Sequence, residues 1–161
     1  MREITTYVCC FTGHREIDPT HIEPLSALLD RTLSTLIGSG VLTYRTGGAV
    51  GFDTMAALKV LERKERDTRI RLELFLPCRD QMAGWADFNQ TAYRYILERA
   101  DSVTVLYDKY RKGCMFERNR AMVRGSHFCI GYCTEAAGGS AYTLRFARSQ
   151  SCRIINLAEL I

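Results

Sequence analysis

The sequence predicts an α/β fold from three observations. Short apolar runs typical of buried strands alternate along the chain with longer amphipathic stretches typical of helices. Glycine-containing turns follow several of the apolar runs and lead into helix-like segments. A length of 161 residues suits one domain with a full hydrophobic core. We therefore expect a single domain over residues 1–161, built as a Rossmann-like, doubly wound, mostly parallel sheet with helices on both faces.

The predicted strands are short apolar runs of the kind found in parallel sheets. In chain order they are Tyr7–Phe11, Val41–Arg45, Ile70–Leu76, Val103–Tyr107, Phe128–Cys133 and Arg153–Asn156. Pro77 closes the third strand, because proline has no N–H group to donate to a neighbouring strand. A helix-like stretch lies between each strand and the next, which favours right-handed βαβ units and a parallel sheet.

The predicted helices are amphipathic stretches between these strands. In chain order they are Pro24–Ile37, Phe52–Arg66, Tyr93–Arg99, Met115–Arg124 and Ala141–Ser149. The first has the clearest helical spacing, with apolar residues at Leu25, Leu28, Leu29, Leu33, Leu36 and Ile37. Gly38 and Gly40 end it. We expect Asp80–Asn89 to be a loop or a short helical turn, and Leu157–Ile161 to be a short tail.

The composition narrows the classes of function. A net charge of +4 suits a small anionic ligand or weak contact with nucleic acid. The seven cysteines contain no C-x-x-C pair, and neither they nor the three histidines have the spacing of zinc ligands. We therefore expect reduced cysteines, no metal and no cofactor. No apolar run approaches the ~20 residues of a membrane span, and Met1–Ile4 lack the apolar stretch of a signal peptide, so we expect a cytoplasmic protein without membrane contact.

The turn after the first predicted strand is Thr12-Gly13-His14-Arg15. Gly13 lets the backbone approach a ligand or adopt positive φ, and Thr12 supplies a hydroxyl. Arg15 offers a planar fork suited to phosphate or carboxylate. His14 is able to donate a hydrogen bond or to act as acid or base near neutral pH. The alternative is a tight turn in which Arg15 pairs with a surface carboxylate.

The turn after the second predicted strand contains Gly47, Gly48, Ala49, Gly51 and Asp53. Gly47 and Gly48 are able to form a nest of N–H groups for phosphate, and Gly51 allows close packing where the next helix begins. Asp53 suits the helix N-terminus electrostatically, and it is also placed to order the loop or to accept a hydrogen bond from a ribose hydroxyl. The spacing matches neither G-x-G-x-x-G nor G-x-x-x-x-G-K-[ST], which argues against NAD chemistry and ATP hydrolysis.

The turn after the fifth predicted strand contains Glu135 and the run Gly138-Gly139-Ser140. Two glycines and a serine at the start of a helix form an anion site. The same residues also suit a simple capping turn in which Ser140 lies near the N-cap.

Two further groups of residues have both a functional and a structural interpretation. Arg118 and Asn119 could face a cleft, whereas a solvated first helical turn is the commoner arrangement. Trp85 could stack on a base, whereas half-buried packing is the commoner role. In a doubly wound sheet, all of these turns meet at the carboxyl edge near the reversal of strand order. We therefore expect one binding site there.

The ordered set of turns resembles the SLOG superfamily, in particular its YpsA-like branch. The matching features are T-G-H-R after strand one, G-G-A-x-G-x-D after strand two, a proline ending strand three, an asparagine-containing helix at Arg118–Val123, and Gly-Gly-Ser before the last helix. They extend from Tyr7 to about Phe146. The resemblance implies a Rossmann-like domain that binds a nucleotide or nucleotide-derived molecule as a sensor or regulator. It is also compatible with a homo-oligomer.

One departure from related families bears on catalysis. LOG-type phosphoribohydrolases resemble one another in a P-G-G-x-G-T-x-x-E turn whose glutamate serves catalysis, but Arg145 occupies the matching position here. Binding without catalysis is therefore the first expectation, and enzymatic activity is left open. An N-glycosidic hydrolase is the alternative, with His14, Glu117 or Glu135 as acid or base. Binding of single-stranded DNA, as the relationship to DprA proteins implies, is a further alternative, with nucleic acid a less favoured partner than a small molecule.

Overall fold

The computed structural model describes residues 6–161, which form a six-stranded sheet. The strands are β1 (Tyr7–Gly13), β2 (Val41–Thr46), β3 (Arg71–Cys78), β4 (Ser102–Tyr107), β5 (Phe128–Tyr132) and β6 (Arg153–Asn156). Their order is β4-β3-β2-β1-β5-β6, and all neighbouring pairs are parallel. The predicted α/β, doubly wound sheet is thus confirmed. Met1–Ile4, which entered the argument on signal peptides, lie outside the described residues.

Helices cover both faces of the sheet. Within residues 6–161 they are α1 (Ile22–Gly38), α2 (Phe52–Arg66), α3 (Asp87–Arg99), α4 (Cys114–Val123) and α5 (Gly139–Ser149), with short 3₁₀ helices at Pro19–His21 and Leu157–Leu160. Helices α1, α2 and α3 pack on one face, and α4 and α5 pack on the other. The first face buries the larger core, which includes Leu25, Leu29 and Leu33 of α1. Each such leucine contributes about 1.5–3 kcal/mol through burial.

Pro77 does not end the third strand, because β3 continues to Cys78, which is paired in register with Tyr107 of β4. Two segments outside the strands also differ from the sequence-based expectation. The expected loop at 80–89 already turns into α3 at Asp87, whose carboxylate suits the positive end of the helix dipole. The expected tail instead forms the 3₁₀ helix Leu157–Leu160, because the side chain of Asn156 accepts a hydrogen bond from the Ala158 N–H (3.2 Å). Neither difference alters the order of the sheet.

The strand order reverses at β1. The chain runs outward from β1 to β4 and then returns to place β5 on the other side of β1. Gly13 at the end of β1 is paired in register with Tyr132 at the end of β5. The carboxyl ends of these two strands therefore border the crevice in which open parallel sheets bind ligands.

The turns after β1 and β2 pack directly against each other. Gly51 has φ +82, and a Cβ atom there would overlap the carbonyl oxygen of Arg15. The N–H group of Phe52 donates to the His14 carbonyl oxygen (3.1 Å). The Phe52 ring fills the space beside Gly13, where a Cβ atom would overlap it. Gly13 thus serves close packing without a positive φ, and Gly51 gives the close approach expected at the start of α2.

We expect Gly51→Ala to lower the free energy of unfolding by about 2–4 kcal/mol. The new methyl group adds strain at positive φ and overlaps the β1 turn. Gly38→Ala is the matched control, because nothing lies within 4 Å of its Cβ position at the end of α1. It should leave stability unchanged or raise it by up to about 1 kcal/mol. Urea denaturation of both variants checks this, and equal effects would contradict it.

Candidate ligand-binding site

A cleft of about 330 Å³ opens at the carboxyl ends of β1 and β5. Its size lies at the lower end of the range for small-molecule sites, about 300–1,000 Å³. Its walls include the following predicted ligand-binding residues: Thr12, Gly13, His14, Arg15, Ala49, Asp53, Asn119, Gly138, Gly139 and Ser140. Glu135 also lines the cleft. Four more lining residues are not among the predicted binding residues: Phe11, Met115, Arg118 and Ala137.

Four predicted residues do not line this cleft. Gly47 and Gly48 are buried, and Gly51 is half-buried against the backbone of Arg15. Glu117 lies beside β4, where its carboxylate accepts a short hydrogen bond from the hydroxyl of Tyr107. Of the three acid or base candidates, the structure therefore brings His14 and Glu135 to the cleft and leaves Glu117 outside it.

The Gly47-Gly48 turn is buried, and two of its backbone polar groups have partners within the protein. The carbonyl oxygen of Gly47 accepts hydrogen bonds from Arg118 Nη1 (2.6 Å) and Gln81 Nε2 (3.1 Å). The N–H group of Gly48 donates to Thr46 Oγ1 (3.4 Å). The structure thus places these glycines as a support behind the cleft, whereas the sequence suggested a nest at its surface.

Arg118 is buried, with only 4% of its surface exposed. The interpretation of this residue as part of a solvated first helical turn is therefore wrong. Its Nε donates to Asn119 Oδ1 (2.8 Å). Its Nη1 donates to three oxygens: the carbonyls of Gly47 (2.6 Å) and Phe75 (3.3 Å) and the side chain of Gln81 (3.2 Å). In the described part of the chain, Nη2 has only a 3.7 Å contact with the sulfur of Met115. Burial lowers the pKa of this guanidinium.

Asp53 lies in the first turn of α2 and is only 6% exposed. Its Oδ2 accepts a hydrogen bond from the Ala49 N–H (3.3 Å), which orders the turn as the sequence suggested. Burial raises the pKa of Asp53 to about 6, against the lowering effect of the Arg118 and Arg15 charges. Among residues 6–161, Oδ1 has no hydrogen-bond partner, and no ion pair joins Asp53 directly to Arg118.

Asn119 links α4 to the start of α5. Its Nδ2 donates to Thr143 Oγ1 (3.0 Å), and the Thr143 hydroxyl donates to the carbonyl oxygen of Gly139 (2.9 Å). Gly138 is the N-cap of α5 at φ +102, and no side chain caps this helix. Ser140 is therefore its second residue, not its cap. The first N–H groups of α5 are left available to an anion in the cleft.

His14 is held at the cleft in one orientation. Its Nε2 accepts a hydrogen bond from the backbone N–H of Thr134 (2.8 Å). Because that N–H can only donate, Nε2 is unprotonated and the neutral ring carries its hydrogen on Nδ1. The ring also packs edge-on against Tyr132, with centroids 5.5 Å apart. In this arrangement His14 offers a ligand an N–H donor.

Arg15 and Glu135 are the exposed charged residues of the cleft. Arg15 has no side-chain hydrogen bond or ion pair within residues 6–161, so the predicted alternative of a surface ion pair is not observed. Glu135 belongs to the loop between β5 and α5. The rim thus carries one unpaired cation and one carboxylate.

The model of the YspA SLOG family, YpsA, matches residues 9–156. The chain belongs to this SLOG family. UPF0398 proteins from Bacillus thuringiensis (strain Al Hakam) and Bacillus cereus (strain AH187) are each 26% identical to it over 150 residues, covering 91% of this chain and 82% of theirs. These matches agree with the resemblance seen in the turns.

Three solved structures share the fold of this chain. DNA processing protein A (DprA) from Helicobacter pylori has a TM-score of 0.68 at 20% identity, covering 93% of this chain and 64% of that one. DprA from Streptococcus pneumoniae has a TM-score of 0.66 at 15% identity, covering 92% and 49%. A protein described as TM1055 has a TM-score of 0.59 at 15% identity, covering 92% and 72%. The chain thus spans less than two thirds of either DprA structure.

Four other sequence-based questions about the SLOG protein concern metal ligands, membrane helices, Trp85 and the cysteines. Within residues 6–161, no three His, Cys, Asp or Glu side chains group as a metal site would require. No helix in that range has the length and apolarity to cross a membrane. The ring of Trp85 is half-buried and packs edge-on against Tyr93, with centroids 5.3 Å apart. All seven cysteines are buried and unpaired.

We expect Asp53→Asn to change how stability depends on pH. The raised pKa of Asp53 means that the folded protein binds a proton more tightly than the unfolded chain, so its stabilising contribution is complete below about pH 4 and is lost as pH rises through about 6. Relative to Asp53→Asn, the wild type should therefore lose about 2 kcal/mol of unfolding free energy between pH 4 and pH 7. Urea unfolding across this range checks it. Parallel pH curves for the two proteins would contradict it.

Proposed function

We propose that this SLOG protein binds a phosphate-bearing, nucleotide-derived small molecule in the cleft and acts as a sensor or regulator. One observation carries the proposal: the buried residue Arg118 lines the cleft, and its Nη2 has no oxygen acceptor within residues 6–161. A buried cation without a full set of acceptors is costly, and an anion in the cleft supplies the missing partner.

Three further groups support an anion at the same place. The uncapped N-terminus of α5 presents its N–H groups at Gly139 and Ser140. Arg15 is free at the rim, and the Nδ1–H of His14 is free in the orientation that Thr134 imposes. In the proposal, the phosphate lies between Arg15, Arg118 and the start of α5, and the rest of the ligand extends along the floor near Asp53.

The positions of the glutamates favour binding without catalysis. Arg145 occupies the position of the catalytic glutamate of LOG-type enzymes, and its guanidinium donates to the Ala136 carbonyl oxygen (3.2 Å). Glu117 is engaged by Tyr107 away from the cleft. Glu135 is the remaining glutamate at the rim, so N-glycosidic hydrolysis by way of Glu135 is the enzymatic alternative that the binding experiment must also detect.

Isothermal titration with AMP, ADP-ribose, NAD and a cyclic nucleotide tests the proposal. At least one should bind with a micromolar Kd, and Arg15→Gln should weaken it about tenfold or more through loss of a charge-assisted hydrogen bond. Arg66→Gln is the matched control, because Arg66 is exposed at the far end of α2. Failure of all four ligands to bind the folded protein would overturn the proposal. Free base in the titrated samples, lost in Glu135→Gln, would show an enzyme instead.

A second candidate function is the binding of single-stranded DNA. Lys109, Tyr110, Arg111 and Lys112 follow β4 at the same edge of the sheet as the cleft, and Tyr110 is 65% exposed. Basic residues around an exposed aromatic ring suit stacking on unpaired bases. One fold neighbour, DprA from Helicobacter pylori, is described with a single-stranded DNA binding mode. Trp85 is an unsuitable platform because it packs against Tyr93.

We expect the combined Lys109→Gln, Arg111→Gln and Lys112→Gln variant to separate these two functions. If the loop binds DNA, affinity for a fluorescent oligo(dT) falls, and the slope of log K against log salt becomes shallower by about 2. A charge-matched control replaces three exposed arginines away from this loop, namely Arg31, Arg66 and Arg153. Fluorescence anisotropy measured at NaCl concentrations from about 50 to about 200 mM checks both variants. Affinity that is absent, or unaffected by salt, would remove this candidate.

A further inference from the structure

Two buried side chains of the cleft each have one polar atom without an oxygen or nitrogen partner within residues 6–161. Arg118 has Nη2, whose neighbour in residues 6–161 is the sulfur of Met115. Asp53 has Oδ1, since its other oxygen accepts from Ala49. Both residues line the cleft, and both are more than nine-tenths buried. These two side chains thus have hydrogen-bonding capacity that a ligand group in the cleft can use.

The two atoms are held in place by different elements. Arg118 extends from α4, and its guanidinium is held by Asn119 and by the Gly47 carbonyl. A Cβ atom at Gly47 would overlap the guanidinium, so the glycine makes room for it. Asp53 is held by the first turn of α2 and by Ala49. Both groups are therefore preorganised for a ligand.

Arg118 and Asp53 together restrict which chemical group of a ligand can contact both of them. Arg118 Nη2 can only donate a hydrogen bond, whereas an ionised Asp53 can only accept one. A group that satisfies both at once must accept and donate. A phosphate dianion cannot donate to Asp53, and an ammonium group cannot accept from Arg118. A hydroxyl does both, and it adds no charge beside the buried carboxylate.

We propose that Arg118 Nη2 and Asp53 Oδ1 together read one hydroxyl of a ribose, so that the cleft selects ribose phosphates over their deoxy analogues. This inference rests on the proposed function, because the phosphate must first occupy the cleft. In it, Arg118 Nη2 uses its two N–H groups on two parts of one ligand. One N–H joins Arg15 and the start of α5 in holding the phosphate, and the other contacts the sugar hydroxyl together with Asp53. Asp53 and Arg118 are specificity residues, and no reaction is required of them.

The experiment compares AMP with 2′-deoxy-AMP and 3′-deoxy-AMP by isothermal titration at pH 7.5. Wild type should bind at least one deoxy analogue about tenfold or more weakly than AMP, because losing the hydroxyl leaves two buried polar groups unpaired. Asp53→Asn keeps the side-chain volume and an oxygen that accepts from the Ala49 N–H. Its amide NH2 group can only donate, so it cannot accept the hydrogen of the ribose hydroxyl as the carboxylate does. In this variant the preference should fall to within about threefold.

Arg15→Gln is the matched control within the same cleft. It should weaken AMP and both deoxy analogues by the same factor and leave the ratio between them unchanged. Thermal unfolding of each variant confirms that it is folded. A wild-type protein that binds AMP and both analogues equally would overturn this inference and leave the proposed function standing. Lack of binding by all three also overturns it, and the proposed function falls only if ADP-ribose, NAD and the cyclic nucleotide fail as well.

Discussion

The guanidinium of Arg118 connects most of the segments that build the cleft. Its hydrogen bonds reach the turn after β2 at Gly47, strand β3 at Phe75, the following loop at Gln81 and its own helix at Asn119. Removing a cation from water costs several kcal/mol unless its donors are satisfied. A change in any of these segments therefore alters the balance around this one buried charge, and the position of the cleft floor depends on it.

The glycine turns make that burial possible. Gly47 leaves space for the guanidinium, while Gly51 and Phe52 join the β2 turn to the β1 turn at Arg15 and Gly13. The rim is thus in direct contact with the start of α2, which carries Asp53. These contacts fix the position of Asp53 relative to Arg15.

Much of this arrangement could be predicted from the sequence, because its signals are local. Apolar runs placed the strands, and the turns at Gly13, Gly51 and Gly138 were expected at the edge where the cleft lies. Arg118 and Gln81 were missed as buried partners, because the hydrogen bonds that join them to each other, to Gly47 and to Phe75 span 34 to 71 positions of the chain. A helical arginine usually reaches solvent, and its burial depends on an empty space at Gly47 that no local pattern reveals. The sequence contained one weak signal of this burial, namely that Arg118 stands beside Asn119 in a helix that begins at the carboxyl edge of the sheet.

Asp53 gives an independent reason to regard the cleft as functional. Burial raises its pKa to about 6, so the ionised form is less favourable in the folded protein than in the unfolded chain at neutral pH. Asparagine would keep the Ala49 hydrogen bond without that cost, so fold stability alone does not explain an aspartate here. Proteins keep such unfavourable groups chiefly where a ligand or a reaction uses them. The carboxylate shares the cleft with the buried guanidinium of Arg118, and within residues 6–161 no direct ion pair joins the two. In the proposed complex, one ligand group that contacts both side chains offsets both costs.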